Sequence, residues 1–216
     1  MKKSNKIFLG EFIASCFLVM VIVGSGIMAE NLTNDNAVRL LANTIATGAG
    51  LFVLITSFAN ISGAHLNPFV SLSMYLTKKI KGKELLTYIP AQILGCLLGV
   101  MLANVFFEHN IIELSTKNRD GFHIFLSEIV ATFGLIFIIF ATLKDGKTTV
   151  AACVATYISA GYWFTSSTSF ANPAVAIART FTDSFTGINY LNTPTYIFAE
   201  LLGTIVAVYI IKRLIK

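Results

Sequence analysis

The stretch "ISGAHLNPFVS", residues 61–71, sets an Asn-Pro pair inside an apolar neighbourhood, and "SFANPAVA", residues 169–176, does so again in the second half of the chain. Asn-Pro marks a turn or a helix start. Proline suits the first helical turn, where its missing N–H is no loss, and asparagine is a strong N-cap. Each pair therefore predicts a helix that opens at its asparagine, over 68–77 and 173–182. At 1.5 Å per residue, each is about half as long as a bilayer is thick.

The rest of the chain supplies that bilayer. Of 216 residues, 55% are hydrophobic and 12% charged, with a mean hydropathy of +0.74. A soluble domain of this length carries about twice that charge. The composition predicts an all-α membrane protein, a single domain over 1–216 whose outer surface meets lipid. Six runs are long enough to span: 7–28, 38–60, 85–107, 123–143, 149–167 and 194–211. The basic residues gather between alternate runs, at Lys2, Lys3 and Lys6, at Lys78, Lys79, Lys81 and Lys83, at Lys144 and Lys147, and at Lys212, Arg213 and Lys216. Only Arg39, Lys117, Arg119 and Arg179 lie elsewhere, a split of twelve against four. This is the positive-inside pattern, and it puts both termini in the cytoplasm. No stripe mixes basic and aromatic residues, so nucleic acid is not a partner. Cys16, Cys96 and Cys153 all sit in apolar runs, which argues against a disulfide framework and a zinc site; no metal or cofactor is expected. The first run has no small-residue cleavage site before Glu30 and reads as a retained helix.

The chain also repeats. "GEFIASCFLVM" from Gly10 is echoed by "SEIVATFGLIF" from Ser127, which pairs Glu11 with Glu128. "SGAHLNPFVSL" matches "STSFANPAVAI", and "AQILGCLLGV" from Ala91 matches "AELLGTIVAV" from Ala199. Two halves, roughly 7–107 and 123–212, each hold three spanning helices and one half-helix. Three is odd, so the second half enters from the opposite side, which makes the repeats inverted. The half-helices then dip in from opposite faces and their N-termini meet near the midplane. Irregular backbone at that depth survives only when buried in protein or lining a wet cavity.

With Asn67-Pro68-Phe69 and Asn172-Pro173-Ala174 so placed, and with Glu11, Glu128, "TGAGL" and "AQILG", the chain resembles the aquaporin and aquaglyceroporin family over nearly its whole length. The resemblance implies an aquaporin-like bundle of six transmembrane helices plus two re-entrant half-helices, with inverted repeats, a pore in each subunit and a homotetramer. Two helix N-termini aimed at one point repel cations, while neutral molecules pass. The amide NH₂ groups of Asn67 and Asn172 are expected to donate to a permeating oxygen. Gly63, Ala64 and His65, with Ser169, Phe170 and Ala171, would offer backbone carbonyls along the wall.

By offset from the two asparagines, the family's four selectivity-filter positions fall on Thr47, Ala160, Ser169 and Val175. Water-selective members put an aromatic at the first, a histidine at the second and an arginine at the last. Here all four are small or medium and uncharged, so the filter is expected to be wide and mildly polar. Phe69 replaces the usual alanine after the first Asn-Pro. The stretch from Tyr162 to Phe185 is similar to bacterial aquaglyceroporins associated with arsenic resistance. That likeness implies a bacterial inner membrane and, as solutes, glycerol-like polyols, arsenous acid and other small metalloid hydroxides, and water.

Several residues carry two readings. Intramembrane Glu11 and Glu128 suggest a proton relay, but their matched repeat positions favour structural acceptors for the half-helix loops. His65 titrates in the right range for a gate, yet its place in "GAH" favours the pore wall. Cys153 sits seven residues before Ala160, on roughly the same helix face, and reads as a small hydrophobe. Arg179 is one turn past Val175 and either replaces the missing filter arginine or pairs with Asp183 at i+4. A coupled transporter also uses inverted repeats and half-helix termini but needs an acid in its path. An enzyme lacks any nucleophile–base constellation here, and no catalytic residue is expected. A water-selective pore is the alternative within the channel reading, and a closed, junction-type protein the alternative if Phe69 blocks the path.

Overall fold

The computed structural model describes residues 1–214, so Lys216, grouped above with Lys212 and Arg213, lies outside the described residues. The described chain is all helix and loop: α1 (Lys3–Leu32), α2 (Asn36–Phe58), α3 (Pro68–Leu76), α4 (Gly82–Phe106), α5 (Phe122–Thr142), α6 (Lys147–Phe164), α7 (Pro173–Arg179) and α8 (Thr193–Leu214). Five of these, α1, α2, α4, α5 and α8, are long and apolar enough to cross a membrane. The sixth long helix, α6, spans 18 residues and packs on α2 and α5. It ends at Phe164, short of the expected 167, because residues 165–172 leave helical geometry to reach the second asparagine.

Two packing seams dominate, α1 against α4 and α5 against α8. Helices in lipid have no hydrophobic drive to associate, so close seams need small residues at the contact. The matched repeat glycines supply them. A Cβ on Gly95 would lie 2.3 Å from the Phe12 carbonyl oxygen, and one on Gly203 would lie 2.4 Å from that of Ile129. Phe12 and Ile129 each follow the matched glutamate, so the two seams are built alike. Away from its buried residues α1 turns Leu9, Ile13 and Phe17 outward, exposed apolar side chains suited to lipid.

The short helices α3 and α7 open at the two Asn-Pro pairs. Asn67 Oδ1 accepts from Phe69 N–H at 2.8 Å, and Asn172 Oδ1 accepts from Ala174 and Val175 N–H at 3.1 and 3.4 Å. Both helices are briefer than the sequence suggests, nine and seven residues, and they contact one another.

Candidate functional site

Ahead of each asparagine the backbone takes the same unusual path. Gly63, Ala64 and Leu66 have φ of +102°, +51° and +54°, and the matched Thr168, Ser169 and Ala171 have +63°, +50° and +46°. A non-glycine residue in this left-handed region costs roughly 1–2 kcal/mol. The buried glutamates hold both loops in place. Glu11 accepts from the N–H groups of His65 and Leu66 at 3.1 and 2.7 Å, from Ser62 Oγ at 2.6 Å and from Gln92 Nε2 at 2.8 Å. Glu128 accepts from the N–H groups of Phe170 and Ala171 at 2.9 and 2.8 Å, and Glu200 accepts from that of Asn172 at 2.9 Å. Each such bond contributes roughly 0.5–3 kcal/mol, enough together to offset the strain. The geometry gives Glu11 and Glu128 the work of structural acceptors.

The asparagines do more than cap. Asn67 Nδ2 donates to the Ala171 carbonyl at 2.6 Å, and Asn172 Nδ2 donates to the Leu66 carbonyl at 2.8 Å. Each amide has two N–H donors, so one stitches the opposite loop and the other remains for the lumen. Neighbour periodicity carries no sign of this reciprocal stitch, which arises only when the two halves meet.

A single cavity of about 430 Å³ runs past both asparagines. Gly63, Ala64, His65, Ser169, Phe170 and Ala171 line it, as do Thr47 and Val175. His65 is fixed in the wall, stacked on Tyr88 with ring centroids 4.1 Å apart and with its Nδ1 3.0 Å from Ser71 Oγ. Pro68, Pro173 and Ala174 are buried in the first turns of α3 and α7. Phe69 is half-buried and outside the lining, so its ring does not close the path.

The structure corrects one filter position and narrows two open readings. Ala160 lies on the exposed face of α6, and the helix turns Val150, Val154, Ile158 and Tyr162 to the cavity instead. This i, i+4 stripe is visible in the sequence, whereas an offset counted back from Asn172 crosses the non-helical residues 165–172 and does not fix a helix face. Tyr162 Oη lies 3.1 Å from Thr47 Oγ1 and ties α6 to α2 across the wall. Cys153 is off the stripe and does not line the lumen. Asp183 does not pair with Arg179; it accepts from Thr116 N–H at 2.9 Å and Oγ1 at 3.1 Å. Arg179 is buried and borders the cavity with its guanidinium 3.5 Å from the centre of the Phe170 ring. The cavity reaches Lys79 and Lys147 at its other end.

A multi-pass helical bundle that encloses one lumen between two opposed, asparagine-capped half-helices has the architecture of a membrane channel. Comparison with known proteins makes the class specific. The sequence profile of the major intrinsic protein family matches residues 1–162, and the chain belongs to that family. It is 45% identical to aquaglyceroporin AqpS of Rhizobium meliloti over 206 residues, covering 95% of this chain and 88% of that one. Aquaporin-4 of Notomys alexis is 28% identical over 206 residues, 91% of this chain and 63% of its own. The X-ray structure of the aquaglyceroporin from Plasmodium falciparum superposes with a TM-score of 0.79 at 22% identity, over 98% of this chain and 97% of that one, which shows the shared fold.

Proposed function

We propose that this protein is a passive channel for small uncharged solutes, glycerol-like polyols, arsenous acid and similar metalloid hydroxides, together with water, each moving down its gradient. The observation that carries the reading is the lumen wall beside the second half-helix, where Thr47, Ser169 and Val175 present no charge. A neutral polyhydroxy solute can exchange hydrogen bonds with hydroxyls and backbone there without stripping an ion of water. The protein carries no catalytic residue, metal or cofactor in this reading. It sits in a bacterial cell membrane with both termini and the Lys79–Lys147 end of the lumen in the cytoplasm, as one single-domain protomer of a homotetramer.

Stopped-flow light scattering on proteoliposomes, with water, glycerol and arsenous acid, tests this. Wild type passes all three above empty liposomes, and Val175→Arg passes mainly water, because the longer charged side chain fills the open wall. Wild type that passes water alone favours the water-selective alternative, to which Tyr162 lends an aromatic ring.

A further inference from the structure

Four basic residues fall outside the lysine-rich groups, and three of them converge at one end of the lumen. Consecutive carbonyls gather them. Lys117 Nζ donates to Phe185 O at 2.6 Å, Arg119 donates from Nη2 to Phe185 O at 3.1 Å and from Nε to Gly187 O at 2.8 Å, and Arg179 Nε donates to Thr186 O. The loop that carries Lys117 and Arg119 is laced to the segment after α7: Ser115 N–H donates to Thr180 O at 2.9 Å and Asn189 N–H to Lys117 O at 2.8 Å. Both guanidinium groups lie over the Phe170 ring, Arg179 at 3.5 Å and Arg119 at 5.3 Å from its centre. Phe170 and Arg179 border the cavity.

Among the described residues no carboxylate lies within ion-pair distance of either guanidinium; the ion pairs are Lys3–Glu84 and His109–Glu113. Among them the Thr186 carbonyl is the one hydrogen-bond partner of the Arg179 guanidinium. Its terminal N–H groups are therefore free to meet a solute in the lumen. An unneutralised arginine 3% exposed is costly to keep and marks function in a membrane protein. Lys79 and Lys147 at the opposite mouth are exposed, so salt and water screen them far more.

We propose that Arg179 is the residue that bars cations from this lumen and donates hydrogen bonds to neutral solutes, acting one helical turn beyond Val175, and that Arg119 is a positioning residue that fixes Phe170 beside it and adds a second charge. The uncharged wall at Thr47, Ser169 and Val175 then sets how large a solute passes, and the arginines set which charge passes. This inference rests on the channel reading.

Urea and guanidinium have nearly the same size and shape and differ in charge, so their permeability ratio isolates the barrier. In proteoliposomes, wild type passes urea and rejects guanidinium. Arg179→Gln raises the ratio of guanidinium to urea permeability about tenfold or more, and Arg179→Lys keeps the rejection. Arg119→Gln raises guanidinium permeability by a smaller factor, a change in ratio that loss of packing alone does not produce. If Arg179→Gln yields no folded protein, Arg119→Gln decides, since Arg119 does not itself line the lumen. Continued guanidinium exclusion by a folded, urea-permeable Arg179→Gln, or in its absence by Arg119→Gln, overturns the proposal and leaves the barrier at Asn67 and Asn172. Wild type that passes neither urea nor glycerol overturns the channel reading instead, and this inference with it.

Discussion

Val175 and Arg179 stand one turn apart on α7, and in the proposal the first sets the size of the solute and the second its charge. Of the positions read from spacing, Thr47, Ser169 and Val175 line the lumen. Ala160 lies off the α6 face that lines the lumen, because an offset counted from Asn172 crosses the non-helical residues 165–172 and does not fix a helix face. Tyr162 was legible as the fourth member of an i, i+4 stripe, while Arg179 was legible only as an ambiguity. Lys117 offers a test of the cation cluster. Burial first, then Arg119 and Arg179, push its ammonium down to about 8, against a weaker opposing pull from Glu30. A base depressed on folding binds fewer protons in the native state than in the unfolded state between about pH 8 and its ordinary value near 10.5. Stability therefore rises with pH through that window, and detergent-solubilised protein is expected to melt at a higher temperature at pH 9.5 than at pH 8. Lys117→Met removes that rise; an unchanged rise places the titrating group elsewhere.

At the scale of elements, the halves are alike in construction and unlike in one position. Gln92 and Glu200 are matched by the repeat, yet Gln92 donates to Glu11 while the Glu200 carboxyl meets the Glu128 carboxyl. Opposite outcomes follow for two similar substitutions. Glu11→Gln turns an acceptor of Leu66 N–H and Gln92 Nε2 into a donor, whichever oxygen it replaces disturbing two bonds, at roughly 2–5 kcal/mol. Glu200→Gln keeps the acceptor for Asn172 N–H and turns an amide toward Glu128, so stability stays within about 1 kcal/mol of wild type or improves. Thermal unfolding in detergent compares them, and equal losses would refute the structural account of both acids. The seams are as specific. Gly95→Leu forces its side chain against the Phe12 carbonyl and is expected to destabilise by about 3 kcal/mol or abolish expression. Element type and order were readable because hydrophobic runs and N-caps are local signals. The left-handed turns before each asparagine were not, since Ala64, Leu66, Ser169 and Ala171 give no local hint of positive φ; tertiary hydrogen bonds impose it.

For the whole molecule, charge counting carries the proposed orientation and also singles out the four basic residues outside the pattern. Sequence could not show that three of them meet, because the loop that holds Lys117 and Arg119 is fixed by hydrogen bonds to residues 180–189 rather than by any periodicity. The proposed homotetramer predicts a native mass of four chains after gentle detergent extraction, with permeability proportional to the number of protomers. The central claim, passive conduction of neutral solutes, is tested most directly by following labelled glycerol into proteoliposomes with and without imposed proton and sodium gradients. The account predicts rapid entry that stops at equal concentration inside and out and is indifferent to either gradient. Accumulation above the external concentration when a gradient is present, and slow entry without one, would contradict it and make the protein a coupled transporter.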